Sequence, residues 1–141
     1  MPVFTHTQVI NLSVSDVFNT VVDIANFPTW NPTVEDAKKL SPGEAKEGST
    51  FEMKIRGFGW VPQTLAEFER DKRVMIVPKM RMMEGGHRFV FTKEDGKTRI
   101  DHELVMNLKG IFVLMLPMVW ITGKMNLTET ANALQKYLEH A

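Results

Sequence analysis

The chain has 141 residues, 43% hydrophobic and 24% charged, a balance that supports a buried core and argues against a largely disordered polymer. Seventeen Lys and Arg meet seventeen Asp and Glu, so net charge offers no nucleic-acid or anionic-membrane surface. The absence of cysteine excludes disulfides, thiolate metal sites and a cysteine nucleophile.

Phe4 to Leu12 is rich in Val, Ile and Thr and reads as a first strand. Ser13 lies three residues before Asp16, a variant of the capping box, and Val14, Val17, Phe18 and Val21 follow at helical spacing. Asp23 is placed to cap a second short turn, and Phe27-Pro28 and Asn31-Pro32 are expected to stop helical propagation. From Val34 to Leu108 the pattern is of strands and turns. Phe51, Met53 and Ile55 alternate with Glu52, Lys54 and Arg56, and Gly57-Phe58-Gly59 turns the chain into a partner strand from Trp60 to Arg70. Arg73 to Met83 is a further expected strand, with Pro78 marking an edge or bulge and Gly85-Gly86 the next break.

Asp95-Gly96 is the strongest local signal, a two-residue hairpin turn between His87 and Leu108. Such a turn sets Phe91 opposite Ile100, Phe89 opposite His102 and His87 opposite Leu104 on one face, with Arg88 opposite Glu103 on the other. After Gly110 the chain is expected to be helical. Leu127, Ala131, Leu134 and Leu138 form an apolar stripe, with Asn126, Thr130 and Asn132 assigned to other faces. The stretch from Ile111 to Ile121 is apolar all round, and Pro117 should begin or kink the helix. It is too short to span a bilayer, which takes about 20 residues. No basic-flanked apolar leader opens the chain, so the cytoplasm is the default location.

These elements predict an α+β fold: a curved antiparallel sheet of six to seven strands wrapped around a long C-terminal helix, with two short helices after the first strand. No linker or repeat divides the sequence, so residues 1–141 read as a single domain. Together with Val17-Phe18, Val22-Asp23 and the run Asn26-Phe27-Pro28-Thr29-Trp30-Asn31-Pro32, this order resembles the helix-grip superfamily of START-related and Bet v 1-like proteins. Within it the chain is most similar to the bacterial branch described as polyketide cyclase/dehydrase and lipid transport. The resemblance covers essentially the whole chain and implies a hydrophobic cavity between helix and sheet. It implies no single reaction, because one fold hosts many functions.

Candidate cavity residues follow from inward parity. On the sheet they are Met53, Ile55, Phe89, Phe91, Leu104 and Met106, and on the helix side Phe112, Met115, Leu116, Val119 and Trp120. Ten methionines, eight of them from Met75 to Met125, supply flexible apolar lining, with Met75, Met80, Met82 and Met118 counted among the candidates. Trp30, in its proline-fixed loop, and Trp60, beside Phe58 on a hairpin tip, are candidates for the cavity mouth, with Asn31 a hydrogen-bonding group. His87 and His102 both point inward, and His102 is the one candidate for acid–base chemistry, because imidazole titrates near neutrality. No inward carboxylate completes a dyad, no metal-ligand spacing occurs, and no cofactor is called for.

Three readings stand at this point. The first is binding of a small to medium hydrophobic molecule, such as a lipid, polyketide or aromatic metabolite, with no nucleic acid involved. The second is a cyclase or dehydratase working in the same cavity. The third is an interaction module whose segment 111–121 contacts a membrane or a second copy of the chain.

Overall fold

The computed structural model describes residues 3–81, 83–110, 114 and 116–139, and for 83 and 116–123 the backbone alone. Strand β1 (Val3–Ile10) leads into helix α1 (Val14–Val22) and a 3-10 helix (Ile24–Thr29). Six strands follow: β2 (Val34–Lys39), β3 (Thr50–Ile55), β4 (Gly59–Glu69), β5 (Arg73–Pro78), β6 (Met83–Glu94) and β7 (Lys97–Leu108). Helix α2 (Leu116–Glu139) closes the chain. The strands form one antiparallel sheet in the order β1-β7-β6-β5-β4-β3-β2, so only β1 is brought in from outside the meander. The architecture is the curved seven-stranded sheet and C-terminal helix expected from the sequence.

Ser13 caps α1 as its spacing predicts, its Oγ accepting from the Asp16 amide at 3.3 Å. Asp23 departs from expectation, since its side chain makes no cap on the 3-10 helix. Pro28 lies inside that helix instead of ending it; a short 3-10 segment has few internal bonds to lose to a missing N–H.

The β6–β7 hairpin has the register expected from Asp95-Gly96: Phe91 pairs with Ile100, Phe89 with His102, His87 with Leu104 and Arg88 with Glu103. Side chains therefore sort cleanly onto two faces. On the outer face Arg88 makes a two-pronged pair with Glu67 of β4, at 3.0 and 2.9 Å, and donates to Glu103 of β7 at 3.0 Å. Those hydrogen bonds hold the Glu67 carboxyl below its ordinary pKa and raise that of Arg88. Met75 lies buried on this same outer face, its sulfur 3.8 Å from Arg88, because it pairs with Arg88 in the β5–β6 register. It is turned away from the helix side, contrary to the expectation that it faces a ligand.

Gly85 and Gly86 do not break the chain; they lie within β6. A Cβ on Gly85 would overlap the Val105 carbonyl, and one on Gly86 the Ile76 carbonyl. The pair lets β6 approach both neighbours where the sheet passes over the cavity. Gly85 also has φ 119, open to glycine alone. Strand β5 ends at Pro78, five residues before the expected Met83, since proline cannot donate to the ladder.

The inner face is covered in two parts. Phe18 of α1 packs edge-on against Phe91 at 5.3 Å and Phe68 at 5.4 Å between ring centroids, filling one end of the sheet. Leu127, Ala131, Leu134 and Leu138 of α2 are all buried, as their spacing predicts; α2 lies chiefly on β1, with Leu134 and Leu138 joining the core around Phe18 and Leu127 packing with Phe4 and Leu104 further along.

Gly86→Ala is expected to destabilise the protein by about 2–4 kcal/mol, because backbone atoms of a central strand must move. Gly43→Ala, at a turn glycine with nothing within 4 Å, is expected to cost about 1 kcal/mol, the positive φ alone being strained. Urea unfolding of the two variants checks the difference.

Candidate functional site

Between the sheet and the middle of α2 lies a cavity of about 250 Å³. Its floor is the inner face of five consecutive strands. Met53 and Ile55 come from β3, Gln63 from β4, Ile76 and Pro78 from β5, His87 and Phe89 from β6, and Leu104 and Met106 from β7. One wall is the 3-10 helix and the loop after it, with Phe27, Trp30, Asn31, Thr33 and Val34. Phe58 and Met80 stand at further edges, and Asn126 and Thr130 of α2 face the sheet from above.

The loop wall is stiff. Asn31 Oδ1 accepts from the Thr33 amide at 3.0 Å and from its hydroxyl at 2.7 Å, which closes the turn through Pro32. Trp30 packs edge-on against Phe27 with centroids 4.8 Å apart. Its indole N–H is buried without a hydrogen-bond partner, a cost of about 1–3 kcal/mol that the apolar contacts of the ring must offset.

His87 and His102 form the polar centre of the floor. His87 Nδ1 lies 2.8 Å from His102 Nε2, and the His102 ring stacks on Phe89 with centroids 4.1 Å apart. Burial lowers the His87 pKa to about 4. Burial also lowers that of His102, with smaller contributions from the neighbouring charges of His87 and His6. Among the described residues, His87 Nε2 has no hydrogen-bond partner, and it is the ring nitrogen left for the cavity.

Trp30, Met53, Ile55, His87, Phe89, Leu104 and Met106 are thus brought together around one space, as expected. Three sequence candidates are not. Trp60 lies on the opposite face of β4, 40% exposed, with the Lys38 ammonium 4.7 Å above its ring, because Val61 and Gln63 take the inward parity. Phe91 is packed beneath α1, away from the cavity. His102 is only 1% exposed, sits behind His87 and is not part of the cavity lining. Phe112, Met115 and Met82 lie outside the described residues, and of Leu116, Val119, Trp120 and Met118 only the helical backbone is described.

Gln63 was missed, although its position between inward Val61 and Leu65 reveals it. Thr130 was assigned to another face of α2, yet it is 5% exposed and borders the cavity with Asn126 one turn earlier. The polar edge of the helix, beside its apolar stripe, meets the void. Among the described residues no group of three His, Cys, Asp or Glu is placed to hold a metal ion, and no helix is long and apolar enough to cross a membrane.

A meandering sheet gripping a C-terminal helix over a cavity defines a START-like helix-grip protein. The chain belongs to the family described as polyketide cyclase / dehydrase and lipid transport, whose model matches residues 1–139. No functionally curated sequence matches it. Among solved structures, it is similar to a START superfamily protein from Mycobacterium smegmatis, with TM-score 0.80 and 17% identity over 98% of this chain and 97% of that one. A protein from Thermus thermophilus gives 0.76 and 17%, covering 97% of each chain. The Zhui aromatase/cyclase from a Streptomyces species gives 0.78 and 11%, covering 99% of this chain and 94% of the other. At these identities the likeness is one of fold.

The histidine pair has a consequence for stability. Both imidazoles have lowered pKa values when folded, so the unfolded chain binds more protons below its ordinary histidine pKa of 6.5. Stability is therefore full above that pH and is lost as pH falls toward about 4. His87 alone accounts for about 3 kcal/mol over this window. The double variant His87→Leu/His102→Phe is expected to lose correspondingly less stability than the wild type between about pH 7 and pH 4.5 in urea titrations.

Proposed function

We propose that the protein binds a small to medium hydrophobic molecule, such as a lipid, a polyketide or an aromatic metabolite, in the cavity between the sheet and α2. The observation that carries this reading is the cavity itself, about 250 Å³ and mostly walled by aliphatic, aromatic and thioether side chains. Apolar area removed from water supplies roughly 25 cal/mol per Å² before the costs of association. Met53, Met80 and Met106 can re-pack around guests of different outline. Family membership supports the same reading, and the match over residues 1–139 supports one domain acting as a unit.

A cyclase- or dehydratase-type reaction is the second reading, favoured by the unpartnered Nε2 of His87. Cavity walls would fold the substrate and His87, not His102, would exchange protons with it. The interaction-module reading rests on segment 111–121, of which 111–113 and 115 lie outside the described residues and 116–121 are described by backbone alone.

The test is titration with N-phenyl-1-naphthylamine, an apolar dye that brightens on leaving water, alongside native mass spectrometry of the purified protein. The wild type is expected to show saturable binding. Met106→Trp, which fills the cavity, is expected to weaken it about tenfold or more while the circular dichroism spectrum is kept. A wild type that neither enhances the dye nor carries a small molecule overturns the proposal.

A further inference from the structure

The polarity of the cavity narrows what it can hold. No lining residue described carries a formal charge, and the stretch 111–123 contains no ionisable side chain. Of the ions around it, Arg88 is held by Glu67 and Glu103 on the outer face, Arg56 of the β3–β4 turn pairs with Glu129 of α2 at 3.7 Å, and Lys79 and Arg81, on either side of the lining residue Met80, are exposed to solvent. A ligand carboxylate or ammonium buried in the cavity would have no counter-charge among the described lining residues, and an unpaired buried ion is strongly disfavoured. Polar partners remain, in His87 Nε2 and the Gln63 amide on the floor and the side chains of Asn126 and Thr130 opposite.

The 2.8 Å contact between His87 Nδ1 and His102 Nε2 sets what His87 offers. A hydrogen bond between two imidazole nitrogens contains one proton, and a neutral pair can place it in two ways. If His102 Nε2–H donates, His87 carries its own proton on Nε2 and presents a donor to the cavity. If His87 Nδ1–H donates, Nε2 presents a lone pair. The two forms differ only in where protons sit, and no ring has to move. The groups facing the pair are Ile76 from β5, Phe89 and Leu104 from the hairpin, Asn126 and Thr130 from α2, and His6 from β1. His6, opposite His102, is the only titratable one, and it adds to the lowering of the His102 pKa.

We infer that the cavity selects uncharged ligands bearing a hydroxyl or carbonyl group, which hydrogen-bonds His87 Nε2, and that His102 is the positioning residue that lets this nitrogen act as either donor or acceptor. The inference rests on the binding reading above and specifies its ligand class: neutral alcohols, phenols and ketones on an apolar body, and not fatty-acid anions.

A matched series on one ring system tests it: naphthalene, 2-naphthol, 2-acetonaphthone and 2-naphthoate, titrated by calorimetry near neutral pH. The naphthol and the ketone are each expected to bind about tenfold tighter than naphthalene, the worth of one good hydrogen bond. Naphthoate is expected to bind weaker than naphthalene by roughly a hundredfold. In His87→Phe the naphthol and the ketone should bind no tighter than naphthalene binds to the same variant. In the wild type, nitrogen-15 NMR of His87 should show Nε2 moving toward the unprotonated form with naphthol and toward the protonated form with the ketone. Absence of naphthalene binding would sink the cavity reading itself. Binding of naphthalene with no gain from either polar group, tight binding of naphthoate with proton uptake, or Nε2 moving the same way with both ligands would overturn this inference and leave the cavity reading standing.

Discussion

The register of the β6–β7 hairpin is the constraint on which the rest of the structure depends. With the turn at Asp95-Gly96, one face of the hairpin carries His87, Phe89, Phe91, Ile100, His102 and Leu104, and the other carries Arg88, Val90, Asp101 and Glu103. A slip of one residue would exchange these sets and bury Arg88 beneath the helices. The register also sets the roles along the inner face. Phe91 falls where α1 covers the sheet, Phe89 falls at the centre, and His87 falls where α1 no longer reaches. Arg88, fastened to Glu67 and Glu103, locks the same alignment from the outer side across four strands.

A cavity follows from the way the inner face is shared. Helix α1 is short and puts Phe18 into one end, where Leu65, Val74 and Phe91 close a dry core around it. Helix α2 lies along β1 and buries a stripe of four aliphatic residues there. Toward the middle of the sheet it offers Asn126 and Thr130, side chains too short to fill the space above β3 to β6. The loop from Trp30 to Val34 bounds the remaining volume but does not enter it, because Asn31 and Thr33 are tied to each other. The void is therefore a product of rigid neighbours. Loosely packed side chains could collapse into it, whereas a bonded loop and a helix edge cannot.

Much of this was legible in the residues. The hairpin, the α1 cap and the α2 stripe each follow from a local pattern with one physical solution, so they matched residue by residue. The misreadings came from information that is not local. Gly85-Gly86 looks like a turn, because close approach to the Val105 and Ile76 carbonyls is visible only once three strands are side by side. Met75 looks like cavity lining until its pairing with Arg88 puts it on the outer face. Trp60 was read from its place near a hairpin tip, whereas parity with Val61 and Gln63 already turns it outward. His102 was correctly placed inside, but sequence could not say which of two inward histidines stands in front.

That order of the two histidines decides where chemistry can occur. His102 lies behind His87 and stacks on Phe89, so it would act on a molecule in the cavity only through one hydrogen bond. His87 has a free nitrogen at the cavity and a neighbour that can give or take the proton on its other side. Burial keeps both neutral, and a buried neutral pair contributes less to folding than two well-packed apolar rings would unless its polar atoms are satisfied. One of them, Nε2 of His87, has no partner among the described residues. The protein thus holds an unsatisfied hydrogen-bonding group against the least filled part of its interior. With no charge among the described lining residues, that nitrogen stands with Gln63, Asn126 and Thr130 as the polar part of a mostly apolar wall.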